Sequence, residues 1–212
     1  KNWKKDLYVT PPTFDGYVEP RTLVSHLSAM FHSKAILVAD VGQNQIWCAN
    51  NFRIREGRFL TTGGMGTMGF GMGAALGAQV SHPDKRVFLV TGDGSFHMNL
   101  NELVTLKSYD LPVVVLIMNN SVLGMVRQWQ KLFYGNRFSQ TDPHRATDFV
   151  KLANAFGVDG LRITKPEEIK PILTKAFEMN KPVVVDCHIS PDANVLPMIP
   201  PGKTINEIIT EM

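Results

Sequence analysis

The sequence predicts an α/β domain built on a doubly wound, mainly parallel sheet with helices on both faces. Three observations point to it. Apolar, β-rich runs alternate with stretches of helical periodicity along the 212 residues. Several of those runs are continuously apolar instead of alternating, which requires cover on both faces of a sheet. They also end in loops rich in Gly, Asn and Asp, and ligands of such sheets bind beyond the carboxyl ends of the strands.

The opening stretch, KNWKKDLYVTPPTFDGYVEP (1–20), mixes charge, Pro and Gly without periodicity and is expected to be an entering linker. Pro20 suits the first position of a helix over 21–32. AILVAD (35–40) reads as the first strand and delivers the loop DVGQNQ (40–45). RFLTT (58–62) leads into GGMGTMG (63–69) and a helix over 67–80. RVFLVT (86–91) is followed by GDGSF (92–96) and a helix over 98–108. PVVVLIM (112–118) is followed by NNSVLGM (119–125) and a helix over 123–133. A helix near 146–156, the strand GLRIT (160–164), a helix near 166–179 and the strand PVVVDCHI (182–189) complete a domain expected to span 21–190, with 191–212 as a C-terminal tail.

Composition excludes several function classes. A hydrophobic fraction of 44% with 19% charged residues is ordinary for a soluble α/β domain. The net charge of +3 is dispersed, and KNWKK is the one local basic run, so no nucleic-acid partner is expected. The longest strongly apolar run, LPVVVLIM (111–118), is far short of a bilayer span, so no membrane association is expected. No charged-then-apolar leader opens the chain, and Cys48 and Cys187 lie far apart without a CxxC partner. A reducing, cytoplasmic compartment is therefore the expected location. A first residue of Lys1 reads as a piece excised from a longer chain. His26, His32, His82, His97, His144 and His188 show no metal-binding spacing, and no Ser-His-Asp or nucleophilic Cys arrangement is apparent.

The chemistry concentrates in two loops. Gly92-Asp93-Gly94-Ser95 follows one strand, and its glycines let backbone N–H groups approach an anion while the Asp93 carboxylate stays free for a hard cation. Asn119-Asn120 follows the next strand, with 24 residues between Gly94 and Asn119, an interval that fits one helix and one strand. Adjacent parallel strands would set Asp93 and Asn120 side by side. One carboxylate and one amide oxygen make a sensible partial shell for magnesium, which takes its remaining ligands from phosphates and water. Gly64-Met65-Gly66-Thr67-Met68-Gly69 also satisfies GxGxxG, with an acidic residue about 20 positions on at Asp84. Asp84 sits in the turn SHPDKR before a strand, however, not at a strand end where a ribose would be held. A nicotinamide site is not the reading adopted.

GDG followed at this interval by NN resembles the thiamine diphosphate (ThDP) fingerprint, and the resemblance extends along nearly the whole chain. DVGQNQIW, TTGGMGTMGFGMGAALGAQ, DKRVFLVTGDGSFHMNLNEL, LPVVVLIMNNSVLGMVRQWQKLFYGNRFSQT and NVLPMIPPG look like the C-terminal, diphosphate-binding domain of the acetolactate (acetohydroxyacid) synthase family. GMVRQWQKLFY (124–134) and NVLPMIPPG (194–202) are the most specific pieces.

The resemblance implies roles for particular residues. Asp93, Asn120 and the Val122 carbonyl match magnesium ligands. Gly92, Gly94 and Ser95 match the diphosphate loop, with Gln43 and Asn44 reaching the phosphates from the opposite side. The family usually reads Gln-His-Gln where this chain has Gln43-Asn44-Gln45. Asn44 can donate a hydrogen bond but cannot titrate near neutral pH. Gly66 and Met68 match the pyrimidine site, Met68 being the apolar wedge that bends the cofactor. Met125 and Trp129 match residues of the substrate approach, Trp129 helping to select the second keto acid. On helical spacing alone, Leu123, Val126 and Trp129 would face a core.

The implied activity is decarboxylation of pyruvate and transfer of its hydroxyethyl unit to a second 2-keto acid. The implied cofactors are ThDP and Mg2+, with FAD, where present, in a middle domain absent from this chain. The activating Glu of the family comes from the N-terminal domain of a partner catalytic subunit, so a homodimer or tetramer is implied, a regulatory subunit is compatible, and this chain alone is expected to be inactive. Glyoxylate carboligase and sulfoacetaldehyde acetyltransferase types would share the fold and cofactors. A stand-alone ThDP-binding module is a non-enzymatic alternative.

Overall fold

The computed structural model describes residues 12–31, 35–54 and 56–210; the KNWKK run and His32 lie outside them. Six strands, β1 (Ile36–Ala39), β2 (Arg58–Leu60), β3 (Val87–Gly92), β4 (Val114–Asn119), β5 (Asp159–Ile163) and β6 (Val183–His188), form one sheet. Every pairing is parallel, in the order β2-β1-β3-β4-β6-β5. The continuously apolar runs become the four inner strands, which are buried almost throughout, whereas the edge strands β2 and β5 are only partly covered.

The helices are α1 (Pro20–Phe31), α2 (Gln43–Asn51), α3 (Phe70–Ser81), α4 (Asp93–Asn99), α5 (Leu103–Ser108), α6 (Gly124–Phe133), α7 (Phe149–Ala155) and α8 (Ile169–Glu178). Alternate strand residues point to opposite faces, and each face has its own core. Phe88, Leu116 and Val185 pack with Leu23, Trp47 and Leu173 on one side. Leu89, Val115 and Val184 pack with Met72, Phe96 and Phe149 on the other.

Three boundaries differ from expectation. DVGQNQ, read as a loop, runs into helix α2 at Gln43; two of that helix's four buried side chains are the polar Gln43 and Asn44, so its hydrophobic period is weak. The helix expected over 98–108 begins at Asp93 and divides around a 3-10 turn at Leu100–Glu102. The segment 191–212, expected as a C-terminal tail, packs in near its start, where Ala193 and Val195 are buried in the core. The strand order reverses between β1 and β3 and turns back once more at the β6-β5 edge, and the first reversal opens the crevice described next.

Candidate functional site

At the carboxyl ends of β1, β3 and β4 lies a cavity of about 350 Å³. Of the twelve residues singled out in the sequence, eleven line it: Gln43, Asn44, Gly66, Met68, Gly92, Asp93, Gly94, Ser95, Asn120, Val122 and Met125. Trp129 is the exception. It sits one turn beyond Met125 on α6, half-buried, with its ring 5.4 Å from that of Phe133.

Asp93 and Asn120 are brought together by register: Gly92 at the end of β3 pairs with Met118 of β4. Asp93 is 3% exposed. Burial pushes its carboxyl up to about 6, while Arg145, His97 and the Asn120 backbone N–H pull it the other way. Arg145 Nη1 stands 3.5 Å from Asp93 Oδ2. Asn120 Oδ1 accepts the Val122 N–H at 3.1 Å, which folds the loop after β4 back over the cavity.

The first-turn N–H groups of a helix lack intrahelical partners and carry partial positive charge. Three helices, α2, α4 and α6, begin at the cavity, and their N-cap residues Gly42, Gly92 and Leu123 supply no side-chain cap. At three other helices carboxylates do this work. Glu19 accepts Thr22 N–H in α1, Asp148 accepts Val150 and Lys151 N–H in α7, and Asp40 accepts Gly69 and Gly71 N–H at α3. The contrast locates the place for an exogenous anion: beside Asp93, not at α3.

That contrast also disposes of the GxGxxG match. The helix N-terminus a dinucleotide pyrophosphate would occupy is already filled by the buried Asp40 carboxylate. Asp84 lies exposed at the opposite end of the sheet, before β3 begins.

Several side chains are engaged differently from expectation. Both side-chain donors of Asn44 go to strand carbonyls, Asp40 O at 2.7 Å and Val90 O at 3.2 Å, so the side chain clasps β1 to β3 and keeps no N–H for a phosphate. Gln43 donates to Gln128 Oε1 at 2.8 Å and Ala193 O at 2.9 Å, and its own oxygen faces Asn120 Nδ2 at 3.4 Å. The Ser95 hydroxyl donates to Val41 O at 2.7 Å, leaving its backbone N–H for a ligand. Buried carbonyls and amides must find partners, and here these side chains are those partners. The cavity thus offers backbone donors, one carboxylate and amide oxygens.

Met68 overhangs Gly94. A Cβ added to Gly94 would meet Leu123 Cδ2 at 3.2 Å and Met68 Cε at 3.4 Å. α6 buries Gln128, whose carboxamide accepts the Val195 N–H at 2.8 Å and donates to Val195 O at 3.0 Å. The apolar residues on that helix do not form the core its spacing allowed: Val126 is 49% exposed, and Leu123 and Trp129 are only partly buried.

Four contributors escaped the sequence reading. Asp40 was visible as the first residue of its loop. Gln128 sits beside Arg127, Gln130 and Lys131 and reads as an ordinary polar helix position. Arg145 and His97 gave no signal, because Arg145 lies in the irregular stretch 134–148 and His97 meets it only through the fold, Nη1 to Nδ1 at 3.5 Å.

The residues present fit magnesium and a diphosphate. A buried carboxylate with an amide oxygen and a carbonyl in one cavity is a hard-cation donor set. Among the described residues, no group of three or more His, Cys, Asp or Glu offers an alternative metal site. The buried indole Nε1 of Trp47, also on the cavity wall, has no hydrogen-bond partner within the protein.

A doubly wound sheet whose switch-point cavity joins uncapped helix N-termini to a buried carboxylate defines a diphosphate-cofactor domain. Residues 40–187 match the family model of the thiamine pyrophosphate enzymes, C-terminal TPP-binding domain, and the chain belongs to that family. It is similar to the acetolactate synthase large subunit of Cyanidium caldarium, 36% identical over 98% of this chain and 35% of that protein. It is 40% identical to that of Haemophilus influenzae over 98% of this chain and 36% of that protein. It is 43% identical to the acetolactate synthase of Mycobacterium bovis over 93% of this chain and 33% of that protein. The chain thus spans about a third of the length of these relatives. No helix among the described residues is long and apolar enough to cross a membrane.

Proposed function

We propose that this chain is the magnesium–ThDP anchoring domain of an acetolactate synthase catalytic subunit, which decarboxylates pyruvate and condenses the hydroxyethyl unit with a second 2-keto acid in branched-chain amino acid biosynthesis. The observation that carries the reading is the placement of buried Asp93 beside Asn120 in the cavity where α2, α4 and α6 begin.

In this reading Asp93, Asn120 Oδ1 and the Val122 carbonyl would hold the cation, and the Gly94 and Ser95 N–H groups would hold diphosphate oxygens. Gly66 and Met68 would flank the pyrimidine. The bound cofactor supplies the electron sink for breaking and making the carbon–carbon bonds. The chain's own residues fix geometry and charge. Gln128 holds Gln43, Gln43 faces Asn120, and the loop after β4 is thereby set against the start of α2. Arg145 counters the Asp93 charge until a metal does so. Met125, Val126, Trp129 and Phe133 make an apolar bank along α6, suited to a keto acid's alkyl group and to excluding water.

The partner subunit's N-terminal domain would bring the activating Glu. Assembly as a homodimer or tetramer, FAD in a middle domain, a regulatory subunit and a cytoplasmic location are parts of the same proposal. Calorimetry tests the binding: ThDP should bind with magnesium, fail to bind in EDTA, and fail to bind to Asp93→Asn under either condition. Product analysis of the full-length protein with pyruvate tests the activity, acetolactate being the expected product and its absence the contrary one.

A further inference from the structure

Asn119, the first of the paired asparagines, does not line the cavity beside Asp93 but an adjoining pocket, with Asn120, Ser121 and Val122, and its amide is engaged through both nitrogen and oxygen. Asn119 Nδ2 donates to Asp186 Oδ1 at 3.0 Å, and its Oδ1 accepts from both N and Oγ of Ser121 at 3.2 Å. Ser121 holds φ at +59°, a left-handed conformation that is strained for a residue with a Cβ. The two residues flanking Ser121 are the proposed cation ligands Asn120 and Val122, themselves joined by the hydrogen bond from Val122 N to Asn120 Oδ1. The strained turn therefore decides where those oxygens stand.

Asp186 is 1% exposed and lies on β6 directly between Ile117 of β4 and Arg162 of β5. Its Oδ2 accepts Arg162 Nε at 3.2 Å and faces His188 Nε2 at 3.2 Å. Arg162 continues to Asp148 Oδ1 at 2.6 Å. An aliphatic side chain at this sheet position would avoid the desolvation cost of a buried ion pair. What a carboxylate adds is direction. It can only accept hydrogen bonds, so Asn119 must present its NH2 to Asp186 and its oxygen to Ser121.

We infer that Asp186, acting through Asn119, is a positioning residue that holds the Ser121 turn and thereby sets Asn120 Oδ1 and the Val122 carbonyl relative to Asp93. The inference rests on reading those three residues as the cation shell. It is tested in the full-length protein by two separate measurements: the magnesium concentration for half-saturation at saturating ThDP, and ThDP affinity at saturating magnesium.

Asn119→Ala and Asp186→Asn should raise the magnesium half-saturation by about 10–100-fold, as loss of a metal site's outer partners does. ThDP affinity at saturating magnesium should stay near wild type, a split that general unfolding would not produce. Asp186→Glu, still acceptor-only, should recover most of the loss. If Asp186→Asn fails to fold, Asn119→Ala decides, because it leaves Asp186 paired with Arg162 and His188. Wild-type magnesium half-saturation in a natively folded Asn119→Ala overturns the positioning role alone. Absence of magnesium-dependent ThDP binding in wild type overturns the cation reading and this inference with it.

Discussion

Asp40 and Gly71, far apart in sequence, are joined by a hydrogen bond of 3.1 Å from the Gly71 N–H to the Asp40 carboxylate. The bond closes the N-terminus of α3 from within, whereas those of α2, α4 and α6 border the cavity without a side-chain cap. A ligand screen should read this directly. NADH should leave the melting temperature unchanged, whereas ThDP with magnesium at about 100 times its Kd should stabilise the fold by about 2.7 kcal/mol, roughly 5–10 °C for a chain of this size. A thermal shift with NADH alone would reinstate the dinucleotide site.

Asp93 gives the metal-free protein a pH signature. Its carboxyl is pushed up to about 6 from 3.8, chiefly by burial, against the pull of Arg145 and His97. The folded chain therefore holds the proton more tightly than the unfolded chain, and this group's contribution is fully present at low pH. It is lost as pH rises from about 4 to about 6. Carboxyls held low, such as Asp148, Glu168 and Glu207, act in the opposite sense, so the comparison must be with Asp93→Asn. Melts in EDTA between pH 4 and 7 should show wild type losing stability relative to that variant as pH increases.

Gln128 should prove costly to remove. Gln128→Leu strips the acceptor from both Gln43 Nε2 and the Val195 N–H, at about 1–3 kcal/mol for each buried group left unpaired. Chemical denaturation measures the loss, and hydrogen exchange at Val195 should accelerate.

Gly124 is a close-approach position. A Cβ there would collide with Gln43 Oε1 and lie 2.6 Å from Asn120 Nδ2. Gln43 is pinned by Gln128 and Ala193, so Asn120 is the group that must yield. Gly124→Ala should destabilise by about 1–3 kcal/mol and weaken magnesium-dependent ThDP binding, both read by titration calorimetry and melts.

The 212-residue chain by itself should produce no acetolactate from pyruvate with ThDP and magnesium. The activating carboxylate expected of a partner subunit would have to be supplied in trans. Turnover by the purified chain alone would refute this.

The sheet was legible because LVA, VFLVT and VVLIMN are too uniformly apolar for anything but strands covered on both faces. Loop positions followed from the strands, so the neighbours Asp93 and Asn120 were legible too. Helix α2 was obscured because its buried face carries Gln43 and Asn44. Donor directions were not legible at all. Whether Asn44 faces a phosphate or a carbonyl depends on which backbone groups the strand ends leave unsatisfied, and that is a property of the fold. Arg145 and Gln128 escaped because each reaches the cavity region across long stretches of chain without any periodic pattern.

The clasp made by Asn44 has a mechanical corollary. A single amide, bonded to Asp40 O and Val90 O, ties the ends of β1 and β3 together at the mouth of the crevice. Parting the two strands at that mouth would break both of these bonds as well as the ladder between β1 and β3.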